Sequence, residues 1–161
     1  MRLPELIDPL LCASRGRHWQ GKLSLSRMSR LADMIVNLED EVDVDLRFHQ
    51  AGRTPIVTGF VRANIKVQCQ RCLGPVNVEV DQAVSLGLVT SLEEGDLLPE
   101  SYEPLLLEQE RIRLADIVED ELILAIPPIP RHEHCEVCDI QQEEVKRPNP
   151  FEVLTNLKAK T

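Results

Sequence analysis

Aromatic side chains are almost missing from this chain: Trp19, Tyr102, Phe48, Phe60 and Phe151 are all that its 161 residues supply. Stacking platforms for unpaired bases are therefore scarce, and the core has to be assembled from Val, Leu and Ile. Long apolar runs are missing as well. The longest, Leu122 to Ile129, is interrupted by Pro127 and Pro128, and it is far shorter than the ~20 residues a membrane-spanning helix requires. No apolar signal segment follows Met1-Arg2-Leu3-Pro4-Glu5, so the expected compartment is the cytoplasm. Catalytic signatures are absent too. There is no GxSxG, P-loop, GxGxxG or HExxH, and no informative spacing among Ser, His and Asp. No enzyme is expected.

Positive charge is in deficit, with 27 acids against 18 bases and a formal charge of −9, which argues against a generic polyanion binder. The distribution is uneven. Residues 1–36 carry +3, and the remainder carries −12. Within that acidic remainder, Leu46 to Val78 contains no Asp or Glu at all, yet it holds Arg47, Arg53, Arg62, Lys66 and Arg71. Two readings stand for this stretch: central sheet whose bases bridge acids elsewhere on the chain, or a locally basic face on an acidic protein. The run Glu119-Asp120-Glu121 is likewise either a solvated helix face or a docking surface for basic groups.

Five cysteines in a cytoplasmic chain point to metal ligation or chemistry before disulfides. Four form two pairs, Cys69-Gln70-Arg71-Cys72 and Cys135-Glu136-Val137-Cys138, and Cys12 is left over as a small buried hydrophobe. A CxxC turn offers two thiolates at bite distance to one ion, and a second pair completes a tetrahedron of soft ligands. The expected site is a structural zinc held by Cys69, Cys72, Cys135 and Cys138. His132 and His134 flank the second pair as possible substitutes, and 62 residues separate Cys72 from Cys135. Unmetallated structural cysteines and a redox pair are the rivals. For the redox reading, the helix N-terminus that would lower a thiol pKa is missing, because Gly74-Pro75 and a strand follow Cys72.

Asp8-Pro9 reads as N-cap and first helical residue of a helix running to about Ser14, stopped by Gly16. Trp19, Leu23 and Leu25 fit a short strand, and Ser26 can cap a turn that buries Met28 and Leu31. Three alternating runs dominate: Met34 to Phe48, Val57 to Val67 and Val76 to Leu88, joined near Gly52 and at Gly74-Pro75. Ser91 to Glu103 reads as an acidic loop and Leu105 to Leu107 as a short strand. Leu114, Ile117, Val118, Leu122 and Ala125 follow helical spacing up to Pro127. The fold class expected is α+β, an antiparallel β-meander or partly closed barrel with short helices packed on it. Residues 1–126 are expected to form one domain, 127–148 an irregular loop, and 149–161 a C-terminal helix packing on the domain.

Several stretches together resemble one family: Val67-Gln68-Cys69-Gln70-Arg71-Cys72-Leu73-Gly74-Pro75, Pro99-Glu100-Ser101-Tyr102-Glu103-Pro104, Ile117 to Pro127, and the tail from Lys146 through Lys158. Their order and spacing are similar to the bacterial YceD family, the large ribosomal RNA subunit accumulation proteins. That resemblance implies a non-enzymatic role in synthesis, processing or stability of 23S ribosomal RNA, and so in large-subunit biogenesis. It brings no catalytic residue and no ligand, so zinc remains an inference from the cysteines. Two mechanisms follow for an acidic protein. The base-only stretch contacts RNA directly, or acidic surfaces shield a basic ribosomal protein or recruit a processing factor. The second is preferred, because aromatics are few and the net charge opposes steering to RNA. Neither a membrane nor a small-molecule substrate is expected.

Overall fold

A computed structural model describes residues 3–135. Cys138 and the helix expected at 149–161 lie outside the described residues. In chain order the elements are β1 (Leu6–Ile7), α1 (Pro9–Ser14), β2 (His18–Ser24), a 3-10 turn (Leu25–Arg27) and α2 (Ser29–Ala32). They continue with β3 (Glu41–Ala51), β4 (Thr54–Gln68), β5 (Pro75–Val89), α3 (Leu92–Asp96), β6 (Glu103–Leu106), β7 (Ile112–Arg113) and α4 (Leu114–Ala125). β2 to β5 form an antiparallel meander, β6 adds parallel to β5, and β1 pairs with β7 in a separate ribbon. The architecture is α+β and the sheet is open rather than closed into a barrel.

Alternation fixes which face is buried. Val42, Val44, Leu46 and Phe48 of β3, Val57, Val61, Ile65 and Val67 of β4, and Val80, Val84, Leu86 and Leu88 of β5 share one core. α4 covers that face with Leu114, Ile117, Val118 and Leu122, and Leu25, Met28 and Leu31 fill the space beside it. Residues of opposite parity face solvent over most of the sheet, as a one-sided antiparallel sheet requires, except at the end near Leu98, where Ile56 and Val89 are buried as well. Gly59 permits β3 and β4 to close up. Its φ is +154°, and a Cβ there would sit 1.9 Å from the Asp45 carbonyl oxygen.

Helix α1 begins where its sequence says, with the Asp8 carboxylate accepting from the Leu11 N–H at 2.9 Å. Other expectations need correction. The cap expected at Ser26 is Ser24, whose hydroxyl accepts from the Ser26 N–H at 3.4 Å. The first apolar run does not begin a strand at Met34. There Ile35 bridges to Val67 and packs on the core, which turns Met34 and Val36 outward. The segment expected as a loop after Ser91 holds α3, capped by the Ser91 hydroxyl on the Glu94 N–H. The short ribbon of β1 and β7 carries too little pattern to be read from sequence.

Helix α2 has no side-chain cap of its own. Its free N–H groups are satisfied from α4, where Glu119 Oε1 accepts from the backbone N–H of Arg30 at 2.6 Å and of Leu31 at 2.9 Å. Glu119 Oε2 accepts from Arg30 Nη2 at 3.2 Å, and the Arg30 guanidinium continues to Asp120 at 2.6 Å. Glu119 is thus a buried carboxylate with every oxygen occupied, and it ties two helices separated by 89 positions in the chain. Replacing Glu119 with Ala strands two backbone donors and is expected to cost about 3 kcal/mol in urea unfolding. A loss below about 1 kcal/mol would show that the helices do not depend on this carboxylate.

Candidate metal centre and the open sheet face

The turn joining β4 to β5 folds back on itself, with Cys69 N–H donating to the Gly74 carbonyl at 2.8 Å and Leu73 N–H to the Cys69 carbonyl at 3.0 Å. Leu73 takes φ +60°, a left-handed position that lets the chain reverse within the knuckle. Cys69 is buried and Cys72 half-buried at this end of the hairpin. The loop after α4 returns to the same place. Gln70 N–H donates to the Pro130 carbonyl at 2.8 Å, which sets Cys135 Sγ 3.7 Å from Cys69 Sγ. That separation is no disulfide, whose sulfurs lie ~2.05 Å apart.

His132 completes the group. Its Nδ1 lies 3.3 Å from Cys72 Sγ and 3.8 Å from Cys135 Sγ, while Nε2 lies 2.9 Å from the Pro75 carbonyl oxygen. A carbonyl only accepts, so Nε2 carries the proton and Nδ1 presents its lone pair to the sulfurs. The four donor atoms lie within 4.8 Å of one another, and the set can hold a metal ion. Burial pushes the Cys69 thiol up, but N–H groups of Cys72, Arg71 and His132 outweigh it and draw the pKa down to about 5. Burial, then the neighbouring Cys69 and Cys72 sulfurs, push Cys135 up to about 11. Crowded thiols of this kind cannot all ionise unless a cation joins them. Of the expected ligands, Cys69, Cys72 and Cys135 converge, His134 is exposed and outside the cluster, and Cys138 lies outside the described residues. What no sequence signal marked is the Pro75 carbonyl that orients the imidazole.

The base-only stretch lies on the solvent face of the meander and does not form a uniformly basic surface. Registry places Arg62 between Asp43 on β3 and Asp81 on β5. Its Nε donates to Asp81 Oδ1 at 2.9 Å, and its guanidinium sits 5.3 Å from the centre of the exposed Phe60 ring. Asp45 accepts from Gln20 Nε2 at 3.2 Å and meets His18 Nε2 at 2.7 Å, and Lys22 lies between Glu41 and Asp43. Arg47 faces Thr58 across the strands, Lys66 faces Asn77, and Arg53 is exposed in the turn after β3. Arg71 is exposed within the Cys69–Cys72 knuckle. Strand pairing therefore sets Arg62 of β4 between acids that flank the stretch in sequence.

The acidic run on α4 is not a solvated face, which corrects that expectation. Glu119 and Glu121 are buried at 2% and 5% exposure, and only Asp120 reaches solvent. The basic group docked on Glu119 and Asp120 is the chain's own Arg30. Glu121 points onto the sheet, where the Gln82 side chain hydrogen-bonds it.

A family model described as large ribosomal RNA subunit accumulation protein YceD matches residues 57–158. A curated relative with the same description, from Haemophilus influenzae, is 36% identical over 171 aligned positions, which cover 99% of this chain and 98% of the relative. No solved structure matches.

Glu121 offers a direct check on how α4 packs. Burial, then repulsion from Glu103 and Asp120, hold its carboxyl above the ordinary range. A raised folded-state pKa contributes stability that is fully present below the unfolded value and is lost as pH rises through the folded one. Glu121→Gln removes that titration. Its stability relative to the parent chain should therefore climb as pH rises from about 4 towards 8, read from urea midpoints. A difference that stays flat across this window would place Glu121 in water.

Proposed function

The chain belongs to the YceD family of large ribosomal RNA subunit accumulation proteins, and from that membership we propose a non-enzymatic role in the accumulation of 23S ribosomal RNA. The role is exercised by binding a basic ribosomal protein or an RNA-processing factor. One observation carries the choice of partner: on the open face of the meander, carboxylates alternate with the bases that a polyanion would need. Asp43 and Asp81 flank Arg62, and Glu41 and Asp43 flank Lys22. An RNA backbone laid across this face would meet those carboxylates at every second strand. A basic polypeptide meets them favourably, and Phe60, half exposed among them, adds a ring for Lys or Arg side chains.

The Cys and His cluster belongs to the same reading as a structural zinc site. Sulfur and imidazole donors suit zinc, and four protein ligands leave no open position for a substrate or water. The ion would fasten the loop after α4 to the end of the β4–β5 hairpin.

Direct RNA binding through Arg47, Arg53, Arg62, Lys66 and Arg71 is the competing mechanism, and a salt titration separates the two. For contact with single-stranded RNA, the logarithm of the binding constant falls by about 0.7 per phosphate for each tenfold increase in salt. The proposal expects a shallow slope and little change in RNA affinity for the Arg62→Glu, Lys66→Glu double variant. It also expects a basic ribosomal protein or a processing factor to co-purify after nuclease treatment. A steep slope that the double variant abolishes, with partners lost on nuclease digestion, would assign the function to RNA contact instead.

A further inference from the structure

Resting on the zinc reading above, we propose that all four coordination positions of the ion are filled by Cys69, Cys72, Cys135 and Nδ1 of His132. Among the described residues, the cluster joins one CxxC to one HxxC. His132-Glu133-His134-Cys135 has the same two-residue spacing as Cys69-Gln70-Arg71-Cys72. Each pair spans one edge of a tetrahedron, one from the hairpin turn and one from the loop after α4.

The distances fit that geometry before any ion is placed. Zinc–sulfur bonds of ~2.3 Å and zinc–nitrogen bonds of ~2.0 Å at tetrahedral angles separate two sulfurs by ~3.8 Å and a sulfur from a nitrogen by ~3.5 Å. The observed separations are 3.7 Å for Cys69 to Cys135, 3.3 Å for Cys72 to His132 and 3.8 Å for Cys135 to His132. The imidazole is also oriented as a ligand is. Ligating histidines commonly donate their second ring N–H to a carbonyl or carboxylate, which sets the tautomer and strengthens the donor nitrogen. His132 does so to the Pro75 carbonyl at 2.9 Å. Pro75 opens β5 and pairs with Gln68, so this acceptor belongs to the rigid end of the hairpin and not to the loop. With four donors in place, a further thiolate has no position left at a four-coordinate ion. Three thiolates and a neutral imidazole leave the zinc site at −1, where four thiolates would leave −2.

Cobalt(II) titration of the full chain, freed of metal under reducing conditions, tests the ligand set directly, with zinc content of the purified protein measured alongside. The parent chain should take up one ion and show the sulfur-to-cobalt charge-transfer intensity of three thiolates. Cys138→Ser should leave stoichiometry, affinity and intensity unchanged. His132→Ala should weaken binding by at least about 100-fold, since disturbing even an outer-sphere partner costs 10- to 100-fold. Histidine NMR of the zinc form should show the proton on Nε2 of His132, a readout independent of whether a variant folds. A loss of metal in Cys138→Ser with retention in His132→Ala, or an intensity of four thiolates in the parent, would overturn the ligand set while leaving zinc in place. Retention in both variants would also overturn it. No bound zinc and no cobalt uptake by the parent chain would remove the zinc reading itself.

Discussion

A sheet with one dry face must hold its core side chains on one parity, and here the β4–β5 hairpin fixes that parity through thirteen consecutive pairs. They run from Ile56 opposite Gly87 to Gln68 opposite Pro75. A slip of one residue would turn Val61, Ile65 and Val67 into water and bring Arg62 and Lys66 into the core. With few aromatics to provide bulk, the aliphatic core tolerates no such error. The other elements take their places from this hairpin. β3 and β6 pair along its two sides, α4 packs on β4 and β5, and its turn carries the first two cysteines of the metal centre.

The same register explains the charge pattern. In sequence, Leu46 to Val78 is free of acid and looks like a basic surface. The strands that hold it are antiparallel, so acids that flank the stretch in sequence return beside it, opposite Arg62 and Asn64. Asp43 and Asp81 meet Arg62, and Glu79 faces Asn64, one step along from Lys66. Exposed pairs of this sort add little stability, typically under about 1 kcal/mol each. On the function proposed above their effect would be on recognition, because a surface of alternating sign pulls weakly on a polyphosphate chain and leaves carboxylates available to a basic protein.

Features governed by near neighbours were legible in the sequence. Asp8-Pro9 announced α1 because capping and proline geometry act within one helical turn. The three alternating runs gave the meander, since period-two burial is written residue by residue. Legibility failed where a distant partner decides the outcome. Glu119 reads as one more surface acid until α2, with its uncapped N-terminus, is brought against α4. Met34 and Val36 read as the start of a stripe until the single bridge between Ile35 and Val67 reverses their parity. At the metal centre, Cys69, Cys72 and Cys135 were identifiable by type and spacing. That His132 joins them was not, because it depends on which residues face the hairpin once Gln70 and Pro130 have joined.

The metal centre and the loop that follows α4 then become one problem. Apart from the cysteines, residues 127–135 are fastened to the hairpin by Gln70 to Pro130 and His132 to Pro75, two hydrogen bonds worth about 1 kcal/mol each net. Ordering nine residues costs about 1 kcal/mol or more apiece in backbone entropy. A structural zinc at the proposed site would supply on the order of 10 kcal/mol, enough to bring the two sides level. The prolines of this loop, Pro127, Pro128 and Pro130, line a groove together with Met34, Val36 and Val67 and with the polar Asp33, Gln68 and Gln70. The groove is complete only while the loop is held, so its shape and the loop's order stand or fall together.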